Sequence, residues 1–102
     1  MTHELRIYQL PKGVDYKFYP FSEAAKHDLL PNDYNLVYKN RFVTDLENPH
    51  DILDSIYDKF QDEHPSYMHN VSVSDVVVLD GIPYYVDVVG WISWMRFKER
   101  YA

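Results

Sequence analysis

VSVSDVVVLDGIPYYVD, residues 71–87, is the stretch of this chain that decides its fold. Two runs rich in β-branched and aromatic residues are separated by Asp80-Gly81, a pair that tolerates the positive φ angles of a tight turn between antiparallel strands. The unbroken apolar run of residues 76–79 is typical of a strand covered on both faces. Pro83 cannot donate to a ladder, so its nitrogen should face an edge or a bulge. The stretch therefore predicts a β-hairpin.

Residues 48–65 predict the main helix of the chain. Asn48 is suited to cap the first backbone amides, Pro49 is tolerated in the first helical turn, and the pattern stops at a His-Pro pair. Five apolar residues recur at helical spacing and should form a buried stripe: Ile52, Leu53, Ile56, Tyr57 and Phe60. We expect an amphipathic helix over about residues 49–63.

The first part of the chain contributes shorter elements. Residues 4–10 alternate polar and apolar side chains and predict a strand, residues 15–21 predict a strand that pairs with it near a sheet edge, and residues 34–38 predict a third strand. Ser22 is placed to cap a short helix of about residues 22–29, which ends at a Leu-Pro pair.

These elements predict an α+β fold in a single domain, residues 1–102. We expect a mixed, mainly antiparallel sheet with the hairpin in its C-terminal half, packed by the main helix and the short helix. Gly90 permits a break before residues 91–102, which form either a last strand or a short helix. A helix would place Trp91 and Trp94 together. One tryptophan should close the core and the other should lie at a partly exposed edge.

The composition indicates a folded acidic domain. Hydrophobic residues make up 46% of the chain and aromatic residues 17%, enough for burial to offset the entropy of folding. The net charge of -6 opposes non-specific attraction to nucleic acid or anionic membranes and favours a basic partner surface. The lack of cysteine excludes disulfides and thiolate chemistry and is compatible with a reducing cytosol. We expect no membrane segment and no leader peptide.

Two polar clusters are candidate sites of chemistry. Ser72, Ser74 and Asp75 suit either a nucleophile or phosphate-contacting turn or, as we expect, a turn whose side chains bind local amides before the strand. His64 and His69, beside two acidic residues, match no trusted ligand spacing. There is no glycine-rich phosphate loop. We therefore predict no catalytic residue, no metal and no cofactor.

The outer face of the main helix carries the strongest candidate for function. Five acidic residues are spaced so as to lie on one side of it: Asp51, Asp54, Asp58, Asp62 and Glu63. This strip is either a solubilising face or a negative surface that competes for a basic groove normally occupied by a nucleic-acid backbone. Trp94 and Arg96 are further candidates, as an aromatic rim for a partner or as a platform for exposed bases.

Three stretches resemble the YodL-like domain, which occurs in proteins of conjugative and other mobile elements of Gram-positive bacteria. They are YNLVYKNRF at residues 34–42, DILDSIYDKFQDEHP at residues 51–65 and residues 71–91, within a similarity that covers roughly residues 4–91. The chain differs where the family ends in Asp-Ser-x-Gly-Phe, because residues 87–91 are Asp-Val-Val-Gly-Trp. The family has no established catalytic set, so the resemblance implies a fold and a genomic setting.

The chain also resembles a small type II-A anti-CRISPR protein carried by phages or plasmids. This resemblance implies a non-enzymatic inhibitor that binds the RNA-guided nuclease in the host cytoplasm and interferes with its assembly with guide RNA. We would then expect a monomer or weak dimer that binds neither nucleic acid nor membrane directly. Two alternatives stay open: an interaction or antirestriction module with another partner, such as a relaxase or a restriction enzyme, and a guide-RNA-cleaving nuclease that uses His64 or His69.

Overall fold

The computed structural model describes residues 1–11, 17–26, 33–66 and 68–97. The sheet strands are β1 (Thr2–Gln9), β2 (Asn35–Val43), β3 (Val76–Leu79), β4 (Ile82–Val86) and β5 (Trp91–Ser93). The helices are α1 (Phe21–Lys26) and α2 (Pro49–Asp62), and residues 95–97 are also helical. The strands form one sheet in the order β2-β1-β3-β4-β5, with every neighbouring pair antiparallel. The expected α+β class is confirmed.

The hairpin lies where the sequence predicts it. Leu79 is opposite Ile82, and the two turn residues between them, Asp80 and Gly81, have φ angles of 50° and 82°. Positive φ at both central positions matches the twist of the flanking strands. Pro83 is opposite Val78, and its carbonyl accepts from the Trp94 amide at 2.9 Å, so its nitrogen faces the end of β5.

Strand β3 is buried on both faces, as its unbroken apolar run predicts. Val77 and Leu79 pack in a cluster beneath α2, whereas Val76 and Val78 pack in a second cluster on the opposite face. The two clusters are separate because successive side chains of a strand point to opposite sides. One central strand therefore belongs to both halves of the core.

Helix α2 covers the first face. Its N-cap Asn48 accepts through Oδ1 from the His50 amide at 2.9 Å, which satisfies one of the free donors of the first turn. Four residues of the predicted stripe are buried and the fifth is partly buried against them: Ile52, Leu53, Ile56, Phe60 and Tyr57. The Phe60 ring meets Tyr38 of β2 edge-on at 4.9 Å, so the helix also packs on β2.

Aromatic side chains cover the second face. We call this group the aromatic cluster, and its large members are Tyr8, Tyr34, Tyr85, Trp94 and Phe97. Their rings meet mostly edge to face at centroid distances of 4.8 to 6.0 Å, the geometry that the ring quadrupoles favour. The Tyr85 hydroxyl donates to the Tyr19 carbonyl at 2.6 Å, which satisfies its polar end.

Two predictions in the first part of the chain are wrong. The described part of the segment 15–21 is not a strand, because Phe18 lies in a turn with a φ of 70° and Phe21 already begins α1. Ser22 is inside that helix and does not cap it, since the Pro20 carbonyl accepts from the amides of residues 23 and 24. The expected end of this helix lies outside the described residues.

Two other elements differ in extent. Strand β2 runs to Val43, beyond the predicted 34–38, because it pairs with β1 along its whole length. The segment after Gly90 is both a strand and a helical turn, so Trp91 and Trp94 lie on opposite faces of the sheet. As expected, one tryptophan is in the core and the other is partly exposed.

The hairpin turn gives a test of backbone strain without steric conflict. A Cβ atom added at Gly81 would meet no atom within 4 Å, so only its φ of 82° opposes a side chain. We expect Gly81→Ala to lower the free energy of unfolding by about 1 kcal/mol, and Gly81→Asn by less, because asparagine tolerates this region. Urea denaturation measures both values, and equal losses for the two variants would contradict this account.

Candidate protein-interaction surface

Four of the five predicted acidic residues form one exposed face on α2, and the fifth, Glu63, is the C-cap residue just beyond its end. Asp51, Asp54, Asp58, Asp62 and Glu63 are all exposed, and none forms an ion pair with a residue in the described part of the chain. The Lys59 ammonium, on the same helix, lies 5.8 Å from the Phe42 ring centroid, which directs it towards β2. We call this surface the acidic face.

A cleft beside the acidic face adds aromatic surface to it. The indole N–H of Trp91 donates to Asp54 Oδ1 at 2.9 Å, and the Trp91 ring meets Tyr57 edge-on at 6.4 Å. These three side chains line a cleft of about 240 Å³ that continues onto the loop of residues 87–90. A carboxylate next to aromatic rings suits the side chain of lysine or arginine, which gains from both ion pairing and contact with ring faces.

The loop at the rim of this cleft exposes apolar side chains. Val88 is 62% and Val89 is 89% exposed, next to Gly90, which has a φ of 77°. Sequence reasoning missed this part of the surface. The contact of Trp91 with Asp54 joins residues 37 positions apart, so no local spacing signals it.

The structure separates the other two candidates from the acidic face. Trp94 is 7% exposed and its ring packs against Phe21, Tyr34 and Phe97 in the aromatic cluster. The indole is therefore part of the core and does not form an exposed rim. Arg96 is exposed, but it follows Trp94 on the opposite side of the sheet from α2. The aromatic residue beside the acids is Trp91.

The Ser-x-Ser-Asp segment forms a buried polar junction before β3. Asp75 is fully buried, and its Oδ2 accepts from the Ser72 amide at 2.9 Å and from Gln9 Nε2 at 3.0 Å. Ser74 Oγ accepts from the Phe18 amide at 3.0 Å, and the Ser74 carbonyl accepts from the Tyr34 hydroxyl at 2.6 Å. The Asp75 carboxylate binds a local amide, as expected, whereas the Ser74 hydroxyl binds the amide of Phe18, which is 56 positions away in the chain.

His69 lies next to this junction. Its Nδ1 is 2.7 Å from the Asn70 carbonyl and 3.0 Å from Gln9 Nε2. Burial lowers the pKa of His69, which favours the neutral ring at pH 7. Among the described residues its ring forms no hydrogen bond with a carboxylate or a hydroxyl, and His64 bonds only the adjacent Pro65 carbonyl.

No group of three or more metal-ligating side chains occurs among residues 1–11, 17–26, 33–66 and 68–97. None of the helices in those ranges is long and apolar enough to cross a membrane.

The fold and the surface define a small α+β domain that presents an acidic helix beside an aromatic cleft. The family model of the YodL-like domain matches residues 4–97, so the chain belongs to the YodL-like domain family. The match includes α2, the hairpin and the Trp91 cleft. Comparison with curated proteins and with solved structures found no match to the chain.

The polar junction predicts how stability changes with pH. Burial raises the pKa of Asp75 from 3.8 to about 7, against the opposing effect of the hydrogen bonds from Ser72 and Gln9. From about pH 4 to 7 the folded state keeps a proton that the unfolded state releases, so this group lowers stability as pH rises. Asp75→Asn should remove this component, which is about 1 kcal/mol per pH unit.

Urea denaturation across this pH range measures the effect. Asp80→Asn is the control, because its carboxyl has the opposite shift: burial would raise the pKa of Asp80, but hydrogen bonds from His3 and the Glu4 amide lower it. The control should therefore keep the downward slope between pH 4 and 7 that Asp75→Asn loses. An unchanged slope in Asp75→Asn would contradict the assignment.

Proposed function

We propose that this protein is an anti-CRISPR inhibitor that binds a type II-A RNA-guided DNA nuclease and hinders its assembly with guide RNA. The observation that carries the proposal is the acidic face, five exposed carboxylates without an ion-pair partner among the described residues. Successive carboxylates rise by about 4.5 to 6 Å along a helix, a step similar in scale to phosphate spacing. A nuclease of this class holds its guide in a positively charged channel.

The acidic face is suited to occupy that channel without enzymatic turnover. Its charges attract lysine and arginine, and the cleft of Asp54, Tyr57 and Trp91 is a binding site for one such side chain. The net charge of -6 also favours association with a basic partner surface. The setting proposed is the cytoplasm of a bacterium that carries a phage or plasmid, where such an inhibitor protects the mobile element from the host's nuclease.

Two features of α2 favour a role in binding over one in stability. Asp54, Asp58 and Asp62 repeat like charges at four-residue spacing, which destabilises a helix slightly. Asp62 also stands at the C-terminal end, where the helix dipole is already negative. Asp58 and Asp62 therefore do not stabilise α2, whereas Asp54 also accepts a hydrogen bond from the Trp91 indole.

Target-DNA cleavage with two orders of addition tests the proposal. We expect purified protein to block cleavage at about one molecule per nuclease when added before guide RNA, and to block it much less when added afterwards. The RNA should run intact on a denaturing gel. Shortened RNA at substoichiometric protein would instead support the nuclease alternative with His64 or His69. No inhibition in either order would favour a mobile-element module with another partner.

A matched pair of variants tests the surface itself. Asp58→Lys/Asp62→Lys reverses charge on the acidic face, and Glu23→Lys/Asp45→Lys makes the same change of net charge at exposed positions elsewhere. We expect the first variant to need roughly tenfold more protein for inhibition, and the control less than about twofold more. Lysine near the end of α2 suits the helix dipole, so the first variant should fold. Equal inhibition by both variants would contradict the proposal.

A further inference from the structure

The second surface of interest is the free edge of β2. This strand is at one end of the sheet order, with β1 as its neighbour, and most of its residues are exposed. Val43 is 74% exposed and Leu36 is 49% exposed. A long exposed edge strand presents unpaired backbone groups to other chains, and folded proteins normally shorten or cover such edges.

The register identifies which backbone groups point outwards. Met1 and Thr44 exchange hydrogen bonds in both directions, at 2.7 and 3.0 Å, and the pairing then continues without a shift to Ile7 opposite Tyr38. Bonded and non-bonded pairs alternate along an antiparallel ladder. The amides and carbonyls of residues 39, 41 and 43 therefore point away from β1.

The side chains at these positions give the edge a charge. Lys39 and Arg41 lie opposite Arg6 and Glu4 of β1, on the face away from α2, and both are exposed. Glu4 is 3.6 Å from the Arg6 guanidinium, whereas Lys39 and Arg41 form no ion pair with a described residue. The outward edge is therefore basic although the whole chain is acidic.

The same charges oppose pairing of two copies through this edge. An antiparallel pair centred on Lys39 would place it opposite its own copy, and a pair centred on residue 40 would place Lys39 opposite Arg41. Like charges directly opposite each other destabilise a strand pair. The outward amide of Arg41 is moreover held by the neighbouring Asn40, whose Oδ1 accepts from it at 2.8 Å. This local bond satisfies the donor in the free protein.

We propose that the free edge of β2 is a second docking site, which adds an extended acidic segment of a partner protein as an antiparallel strand. Residues 39, 41 and 43 supply the main-chain bonds, and the partner carries carboxylates opposite Lys39 and Arg41. Its alternate side chains lie on the other face, next to Tyr38 and Phe42, which are half-buried against α2. Pockets for alternate side chains are how added strands gain specificity.

A peptide strand fits this surface better than a nucleic-acid backbone does. The depression beside Lys39 and Arg41 is also lined by Glu4 and Asp80, whose charges would repel phosphates placed across it. A strand that pairs only along the outer edge keeps its carboxylates next to the two cations. The outward carbonyls of the edge can accept hydrogen bonds from N–H donors, which a peptide main chain supplies.

The test uses the whole protein and a short capped peptide of alternating valine and glutamate. In the proposed register the glutamate amides face β2, so methylation of those nitrogens should abolish binding, and methylation of the valine nitrogens should spare it. Fluorescence anisotropy gives the affinities. Lys39→Glu/Arg41→Glu should bind the peptide roughly tenfold or more weakly and should instead bind the matching valine–lysine peptide.

Amide hydrogen exchange then locates the contact. Bound peptide should slow exchange at the amides of residues 39 and 43 and leave residues 38, 40 and 42, already bonded to β1, unchanged. Equal binding of both methylated peptides would overturn the proposal, because only charge would then be recognised. Two further results would also overturn it: slowed exchange with rising protein concentration alone, and tighter binding of a single-stranded oligonucleotide at Lys39 and Arg41 without amide protection.

Discussion

The burial of β3 on both faces is the constraint on which the rest of the molecule depends. Val76–Leu79 is the middle strand of the sheet and is apolar throughout, so other side chains must cover both of its faces. Helix α2 achieves this on one side with a continuous apolar stripe. The other side has mostly edge-to-face aromatic rings, two of which, Tyr34 and Trp94, come from positions outside the helices and strands. The Asp-Gly turn then fixes which residue of β4 meets each residue of β3.

The polar junction at the start of β3 explains how irregular segments are held in this arrangement. Ser74 has a positive φ of 83°, and its carbonyl and side chain bond two distant segments through Tyr34 and Phe18. Asp75 in turn joins the end of β1 to the turn through Gln9 and the Ser72 amide. A carboxyl buried there is costly when charged, and its hydrogen bonds offset only part of that cost. The Ser-x-Ser-Asp segment therefore has a structural role. It joins the start of β3 to the neighbouring loops and to the second face of the sheet.

Local signals account for what the sequence predicted well. The N-cap and stripe of α2, and the turn pair of the hairpin, are set by residues within a few positions of one another. The aromatic alternation at residues 15–21 was misleading, because Phe21 packs on the second face of the sheet against Tyr85, whereas Phe18 and Tyr19 are exposed. The positions of Trp91 and Trp94 also depend on residues that are distant in the sequence. They are three positions apart in the chain, but β5 ends between them, and they lie on opposite faces of the sheet.

The sheet also divides the charge of the molecule. The acidic face is on the outside of α2, whereas Lys39 and Arg41 are on the face of the sheet away from that helix. A net charge of -6 conceals this division, because the basic edge contributes few residues to the total. Screening at physiological salt acts over about 8 Å, so each surface is felt by a partner mainly at close range. Helix α2 packs on the inner side chains of β2 through Phe60 and Tyr38 and still leaves the outward amides uncovered. The same packing that builds the acidic face therefore leaves the basic edge open, and the two charged surfaces lie on opposite sides of the sheet.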